Sequence, residues 1–234
     1  MRIDAIILAR GGSKGIPKKN IINFCGKPLV FWTIKQCLAS KKISNVWVSS
    51  DSDEILEISK NYGAQVIKRP HKISGDTDSS ESAWIHAINF IESESVNRKI
   101  KIDYVVAPQV TSPIREAVDF DDSIEQIIND NSDSLLSVTS IEDFFIWKKL
   151  DGKNPESVNY NYKDRKPRQQ IDKRYVENGS FYIFKPFVLK ENNNRLGGAI
   201  SFFIMDKHKM FQIDDVEDIK LSSLIMKGFE LDYL

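Results

Sequence analysis

The run Ile3-Asp4-Ala5-Ile6-Ile7-Leu8-Ala9-Arg10-Gly11-Gly12-Ser13-Lys14-Gly15-Ile16-Pro17-Lys18-Lys19-Asn20 decides the fold class. Ile3 to Ala9 is apolar except for Asp4, the pattern of a short central strand buried on both faces. The chain then turns through Gly11, Gly12 and Gly15 among the cations Arg10, Lys14, Lys18 and Lys19. Glycines let backbone N–H groups approach phosphate closely, and the cations balance its charge. In an open α/β sheet, ligands bind beyond the carboxyl ends of the strands, which is where this loop would lie. The stretch reads as a strand delivering a phosphate-binding loop.

Outward from it, short strands alternate with helices. Pro28 to Ala39 spaces Leu29, Val30, Ile34 and Leu38 as a helix does, and Asn45 to Ser49 reads as a strand. Ser52 caps a helix over Asp53 to Tyr62, Gly63 ends it, and Ala64 to Ile67 is a strand. Asp78-Ser79-Ser80-Glu81 opens a helix that runs on through Trp84, Ile85, Ile88 and Ile91. Strands follow over Asp103–Ala107, Ser134–Val138, Tyr175–Phe184 and Phe202–Met205, with helices over Glu116–Ile128 and Val216–Phe229. The alternation implies βαβ units, hence an α/β fold with a mostly parallel sheet. Between Ile141 and Arg174 the style changes to a polar, Tyr- and Lys-rich stretch behind Phe144, Phe145 and Trp147, an excursion from the sheet and not a second domain.

Composition bounds the function. Thirty-three basic and 33 acidic residues cancel to a formal net charge of zero over 234 residues. That balance argues against a nucleic-acid coat or a polybasic membrane binder. No apolar run approaches the ~18 residues of a membrane span, and Asp4 interrupts what would be a signal core. Cys25 and Cys37 form no CxxC motif and read as reduced thiols, so the expected location is cytoplasmic. Charge is nonetheless segregated. Residues 5 to 50 carry eight cations and no acid, whereas Glu116 to Asp143 holds nine acids and no base, most of it read as a solvated helix face.

The glycine loop tests against three motifs. A Walker A sequence is absent, and glycines at 11, 12 and 15 do not fit GxGxxG. Gly11-Gly12-Ser13-Lys14-Gly15 does spell GxSxG, the nucleophile elbow of serine hydrolases. The context opposes that rival. Pro17 follows where a helix should start, and His71, His86 and His208 offer no convincing base.

With these residues in view, the chain resembles the acylneuraminate cytidylyltransferases, along essentially its whole length. Five blocks occur in the family's order: Ile7 to Asn20; Arg69-Pro70 with Asp76 to Ser80; Gln109 to Arg115; Pro167 to Gln170 with Glu177 to Ile183; and Ile213-Asp214 with Asp218. The resemblance implies a Rossmann-like three-layer nucleotidyltransferase with a mostly parallel, mixed central sheet. It implies one domain over residues 1–234, with a dimerisation excursion at about 140–190 in a homodimer. The implied reaction joins CTP to the anomeric hydroxyl of a nonulosonic, 2-keto sugar acid and releases pyrophosphate, with Mg²⁺ as cofactor and neither nucleic acid nor membrane as partner. A CMP-Kdo or 8-amino-Kdo type synthetase is the nearest alternative.

Carried over position by position, the resemblance gives Arg10 and Lys19 the triphosphate and its chemistry. Gly11, Ser13 and Asn20 fall in the same signature, and Arg69 and Ser80 in the nucleotide site. For Arg69 a surface cation, and for Ser80 a helix cap, are the plain alternatives. Gln109, Arg168 and Tyr182 fall to the sugar acid, although Tyr182 reads equally as a strand-core residue. Asp214 falls to the metal. Two departures stand out. Gln212 replaces the first aspartate of the family's Asp-Ile-Asp, and Asn194-Arg195-Leu196-Gly197-Gly198 stands where sialic-acid members carry aromatics, so the sugar pocket is expected to differ.

Overall fold

The computed structural model describes residues 1–13, 15–94, 101–141 and 145–233, with Glu94 and Arg168 described by backbone alone. In chain order the strands are β1 Ile3–Leu8, β2 Asn23–Phe24, β3 Lys27–Pro28, β4 Asn45–Ser50, β5 Gln65–Lys68, β6 Tyr104–Pro108, β7 Ser134–Ile141, β8 Trp147–Lys148, β9 Glu156–Ser157, β10 Arg174–Phe184 and β11 Ile200–Met205. The helices are α1 Leu29–Ala39, α2 Asp53–Asn61, α3 Ser80–Glu94, α4 Ala117–Asn129, α5 Pro186–Asn192 and α6 Val216–Gly228. Seven strands form the central sheet in the order β11-β7-β10-β6-β1-β4-β5. All its pairings are parallel except those of β10, which runs antiparallel to β6 and β7.

Both faces of β1 are buried, as its near-continuous apolar run requires. Ile3, Ala5 and Ile7 join the core under α1, α2, α4 and α6, while Ile6 joins the core under α3 and α5. Asp4, the one polar residue of the strand, is fully buried and accepts hydrogen bonds from Arg2, Asn45 and Trp47. Chain direction sets the site. From β1 the chain proceeds outward to β4 and β5, then returns to lay β6 on the other flank of β1. The carboxyl ends of β1 and β6 therefore diverge at a topological switch point, where such sheets bind ligands.

Two expectations need refinement. Glu116, Asp122, Glu125 and Asp130 of the acidic run are exposed as expected, but three other acids are tied down. Asp119 is buried against Lys209 at 2.8 Å, Asp121 accepts the Lys41 and Lys42 N–H groups beyond α1, and Asp133 pairs with Lys185 at 2.8 Å. A negative stretch beside distant cations becomes a set of ties, which spacing alone does not reveal. The excursion is also shorter than 140–190, because β10 belongs to the central sheet and pairs along β7 from Arg174 to Phe184. Outside the sheet, Phe145 packs on Tyr160 at 4.3 Å and Trp147 on Tyr162 at 5.3 Å, beside the β8–β9 hairpin. Phe144 lies outside the described residues.

Candidate active site

A cleft of about 470 Å³ opens at the switch point, lined among others by Arg10, Ser13, Gly15, Lys19, Asn20, Arg69, Ser80 and Thr111. The loop after β1 supplies the first five. Gly15 is needed there because a Cβ would stand 2.7 Å from the Asp214 carbonyl oxygen. Asn20 donates its side-chain amide to the Arg10 carbonyl at 2.8 Å and braces the loop from within. Gly11 plays another part than expected. Its N–H donates to Asp51 Oδ1 at 2.9 Å and is thereby committed to the protein. Lys18 is drawn off by Glu54 at 2.7 Å, and Lys14 lies outside the described residues.

Among the described residues three cations remain on the cleft, from two different parts of the chain. Arg10 Nη1 donates to the Gly75 carbonyl at 3.0 Å and meets Asp76 at 3.1 Å. Lys19 Nζ donates to the Ile213 carbonyl at 3.1 Å and to Asp214 at 3.0 Å. Arg69 follows β5 and is only 4% exposed, which removes the surface-cation reading. Its nearest acid, Asp51, stands 3.9 Å away, and its buried Nε and Nη2 make no hydrogen bond. Burial lowers the Arg69 pKa, an effect that Asp51 opposes and Arg10 adds to. An arginine stays charged regardless. A buried guanidinium with spare donors on a cleft wall is arranged for an anion that arrives from outside.

Ser80 is the first residue of α3, but the helix-capping hydroxyl is that of Ser79, which accepts the Ser82 N–H at 3.2 Å. Ser80 is left to line the cleft. A second lobe of about 190 Å³ shares Leu8, Asn20, Ser80 and Thr111 with the first and adds Trp84, Gln109 and Arg195. Gln109 thus stands beside the cation-lined cleft. Tyr182 does not line either lobe. It is 5% exposed in the core, with its phenol donating to Glu177. Arg168 starts a 3-10 turn outside the sheet, with its side chain outside the described set.

Asp214 sits beside Lys19 and Gly15 with its side chain 76% exposed. The loop is held by α6. Asp218 accepts the Asp214 and Asp215 N–H groups, while Asp215 accepts those of Glu217 and Asp218. Gln212 faces away from this function and donates to the Asn178 carbonyl at 3.0 Å. Among the described residues no cluster of three His, Cys, Asp or Glu side chains stands ready for a metal.

The hydrolase rival fails on geometry. An elbow serine must lead into a helix, but the first α-helix begins only at Leu29. His208 instead stacks on Phe229 at 3.8 Å. Sequence reading placed Arg115 in the third block but gave it no role. Fully buried, it donates to the carbonyls of Ser180 and Gln109 and to Thr33 Oγ1, and so anchors the Gln109 loop to β10.

Known proteins share this architecture. The chain is 36% identical over 215 residues to the N-acylneuraminate cytidylyltransferase of Oncorhynchus mykiss, covering 91% of this chain and 47% of that protein. The chain spans about half the length of such vertebrate relatives, 48% in the Danio rerio N-acylneuraminate cytidylyltransferase B. It is 30% identical over 229 residues to the pseudaminic acid cytidylyltransferase of Campylobacter jejuni subsp. jejuni serotype O:23/36 (strain 81-176), covering 95% of each. In fold it is similar to a CMP:2-keto-3-deoxy-manno-octonic acid synthetase solved with CTP, with a TM-score of 0.72 at 13% identity, covering 98% of this chain and 100% of that one. No helix among the described residues is long and apolar enough to cross a membrane. The family described as Cytidylyltransferase matches residues 5–219, and with that match the chain belongs to the cytidylyltransferase family.

Proposed function

We propose that the protein transfers CMP from CTP to the anomeric hydroxyl of a nonulosonic sugar acid. The observation that carries this reading is the convergence of Arg10, Lys19 and the buried Arg69 on one cleft, with Gln109 in the adjoining lobe. The sugar hydroxyl gives up its proton to solvent as its oxygen attacks the α-phosphorus, the bond to the bridging oxygen breaks, and pyrophosphate departs. Such a displacement asks little covalent work of the protein, so positioning and charge stabilisation dominate. Arg10 and Lys19 would neutralise the triphosphate, releasing Asp76 and Asp214 as phosphate takes their place. Arg69 and Ser80 would fix the nucleotide, and Gln109 and Arg168 the sugar acid.

Asp214 is suited to hold Mg²⁺. That ion takes one or two carboxylates and completes its octahedron with phosphate oxygens and water, so one exposed aspartate beside the cleft fits. When bound, the ion supplies countercharge for the leaving pyrophosphate. We also propose a homodimer. Ile200, Phe202 and Ile204 alternate along edge strand β11 and stay 41–55% exposed on one face, apolar surface that a second copy would cover.

The test is pyrophosphate release with CTP and Mg²⁺ in the presence of N-acetylneuraminic, legionaminic, pseudaminic or Kdo-type acids, with ATP, GTP and UTP as controls. Release confined to CTP and one class of acid supports the reading, and its absence with every acid overturns it. Light scattering after size exclusion tests the dimer.

A further inference from the structure

Resting on that reading, we infer that Arg195 is a specificity-determining residue, one that contacts a neutral hydrogen-bonding substituent of the sugar acid. Four observations converge. Arg195 lines the same lobe as Gln109, adjoining the nucleotide cleft. Its guanidinium lies 4.8 Å from the ring centroids of both Trp84 and Tyr182. Glu81 of α3 accepts from Nε at 2.9 Å and lies 2.8 Å from Nη2. The turn carrying Arg195 is itself pinned, since Ser134 Oγ accepts the Gly197 N–H and donates to the Gly197 carbonyl.

The chemistry follows from charge. Glu81 already neutralises Arg195, and the two side chains are only 13% and 22% exposed. A balanced pair offers little net attraction to the sugar's carboxylate. It does present guanidinium N–H donors at a fixed position beside the Trp84 ring, which lines the same lobe. Such a surface suits a neutral polar group with an apolar flank. An acylamino substituent matches that description, and so does a ring or tail hydroxyl. A site built to hydrogen-bond one such group discriminates against acids that lack it.

The experiment compares wild type with Arg195→Ala and Arg195→Lys. Steady-state pyrophosphate release is measured with an N-acylneuraminic acid, with pseudaminic acid and with the all-hydroxyl Kdo. CTP affinity is measured by calorimetry, and folding by thermal melting. For the preferred acid, Arg195→Ala is expected to raise KM about 10- to 100-fold, the worth of a charge-assisted hydrogen bond. Its CTP affinity is expected to stay within about twofold, and its preference among the acids to narrow. Arg195→Lys keeps the charge beside Glu81 but not the planar stacked fork, and is expected to remain impaired. If preference narrows only between acylamino acids and Kdo, the contact is to the acylamino group. If it narrows only among acids differing in hydroxyl pattern, the contact is to a hydroxyl. Unchanged KM and preference in both folded variants overturn the assignment, and so does a loss of CTP affinity equal to the loss for the acid. Absence of release by wild type with every acid defeats the parent reading instead.

Discussion

Gln212 donates its side-chain amide to the backbone carbonyl of Asn178, 3.0 Å away, and so ties the loop before α6 to the irregularity in β10. There Gly179 has φ +63°, and a Cβ on it would stand 2.5 Å from Gln212 Nε2. The position that breaks the Asp-Ile-Asp pattern is therefore a bracket. An aspartate in its place would be shorter and would set a carboxylate near a carbonyl oxygen. Gln212→Asp is expected to cost about 1–3 kcal/mol, the price of a lost bond and an unpaired acceptor. At this chain length that lowers Tm by roughly 3–10 °C. Titration of the CTP complex with Mn²⁺, followed by electron paramagnetic resonance, should show no additional bound ion in the variant. A second ion would sink the bracket interpretation.

Arg69 gives a prediction of two opposite signs. Its Nε and Nη2 are buried without hydrogen bonds, so the free protein carries a desolvation cost that an anion would relieve. Arg69→Met is expected to leave Tm of the free protein unchanged or raised. CTP affinity should fall about 10- to 100-fold, as expected for the loss of hydrogen bonds to a charged partner. Melting curves with and without CTP measure both effects in one sample series. A variant that melts lower yet binds CTP normally would show Arg69 to be an ordinary structural residue.

The elements that carry local signals were legible in the sequence. Ser52 caps α2 and accepts the Ile55 N–H, the near-continuous apolar run of β1 divides between two cores, and the glycine loop lies at the switch point. What the sequence withheld depends on pairings between distant residues. Glu81 and Arg195 meet across 114 positions, and Lys209 meets Asp119 across 90. Nothing local distinguishes a buried partner from a solvated charge. Gly11 illustrates the same limit, since its flexibility was evident but its donation to Asp51 was not.

Arg115 belongs to that hidden class, and its removal should uncouple fold from site. Arg115→Met would leave the Ser180 and Gln109 carbonyls and Thr33 Oγ1 short of a donor in a buried place. The two carbonyls keep the Gln109 and Ser112 N–H groups as donors, so the expected cost is that of lost bonds to a charged donor, about 1.5–3 kcal/mol. The Gln109 loop should loosen as well. KM for the sugar acid should then rise more than KM for CTP, because Gln109 lines the second lobe and not the first. Equal changes in both would mean that the brace serves stability alone.

Asp218 gives the pH dependence. The Asp214 and Asp215 N–H groups hold its carboxyl below the usual range. A carboxyl depressed in the folded state contributes stability above its unfolded pKa of ~3.9, and that contribution is lost as pH falls through the folded value. Asp218→Ala removes half of a capping box, a change that commonly costs about 0.5–2 kcal/mol; the carboxylate is exposed, which favours the low end. The variant should melt below wild type at pH 7, and the gap should close as the pH drops below about 4. The same bonds fix the backbone that presents Asp214, so the variant should also bind Mg²⁺ with CTP more weakly at pH 7. A gap in Tm that persists unchanged at pH 2.5 would show that the carboxylate charge is not what holds this turn.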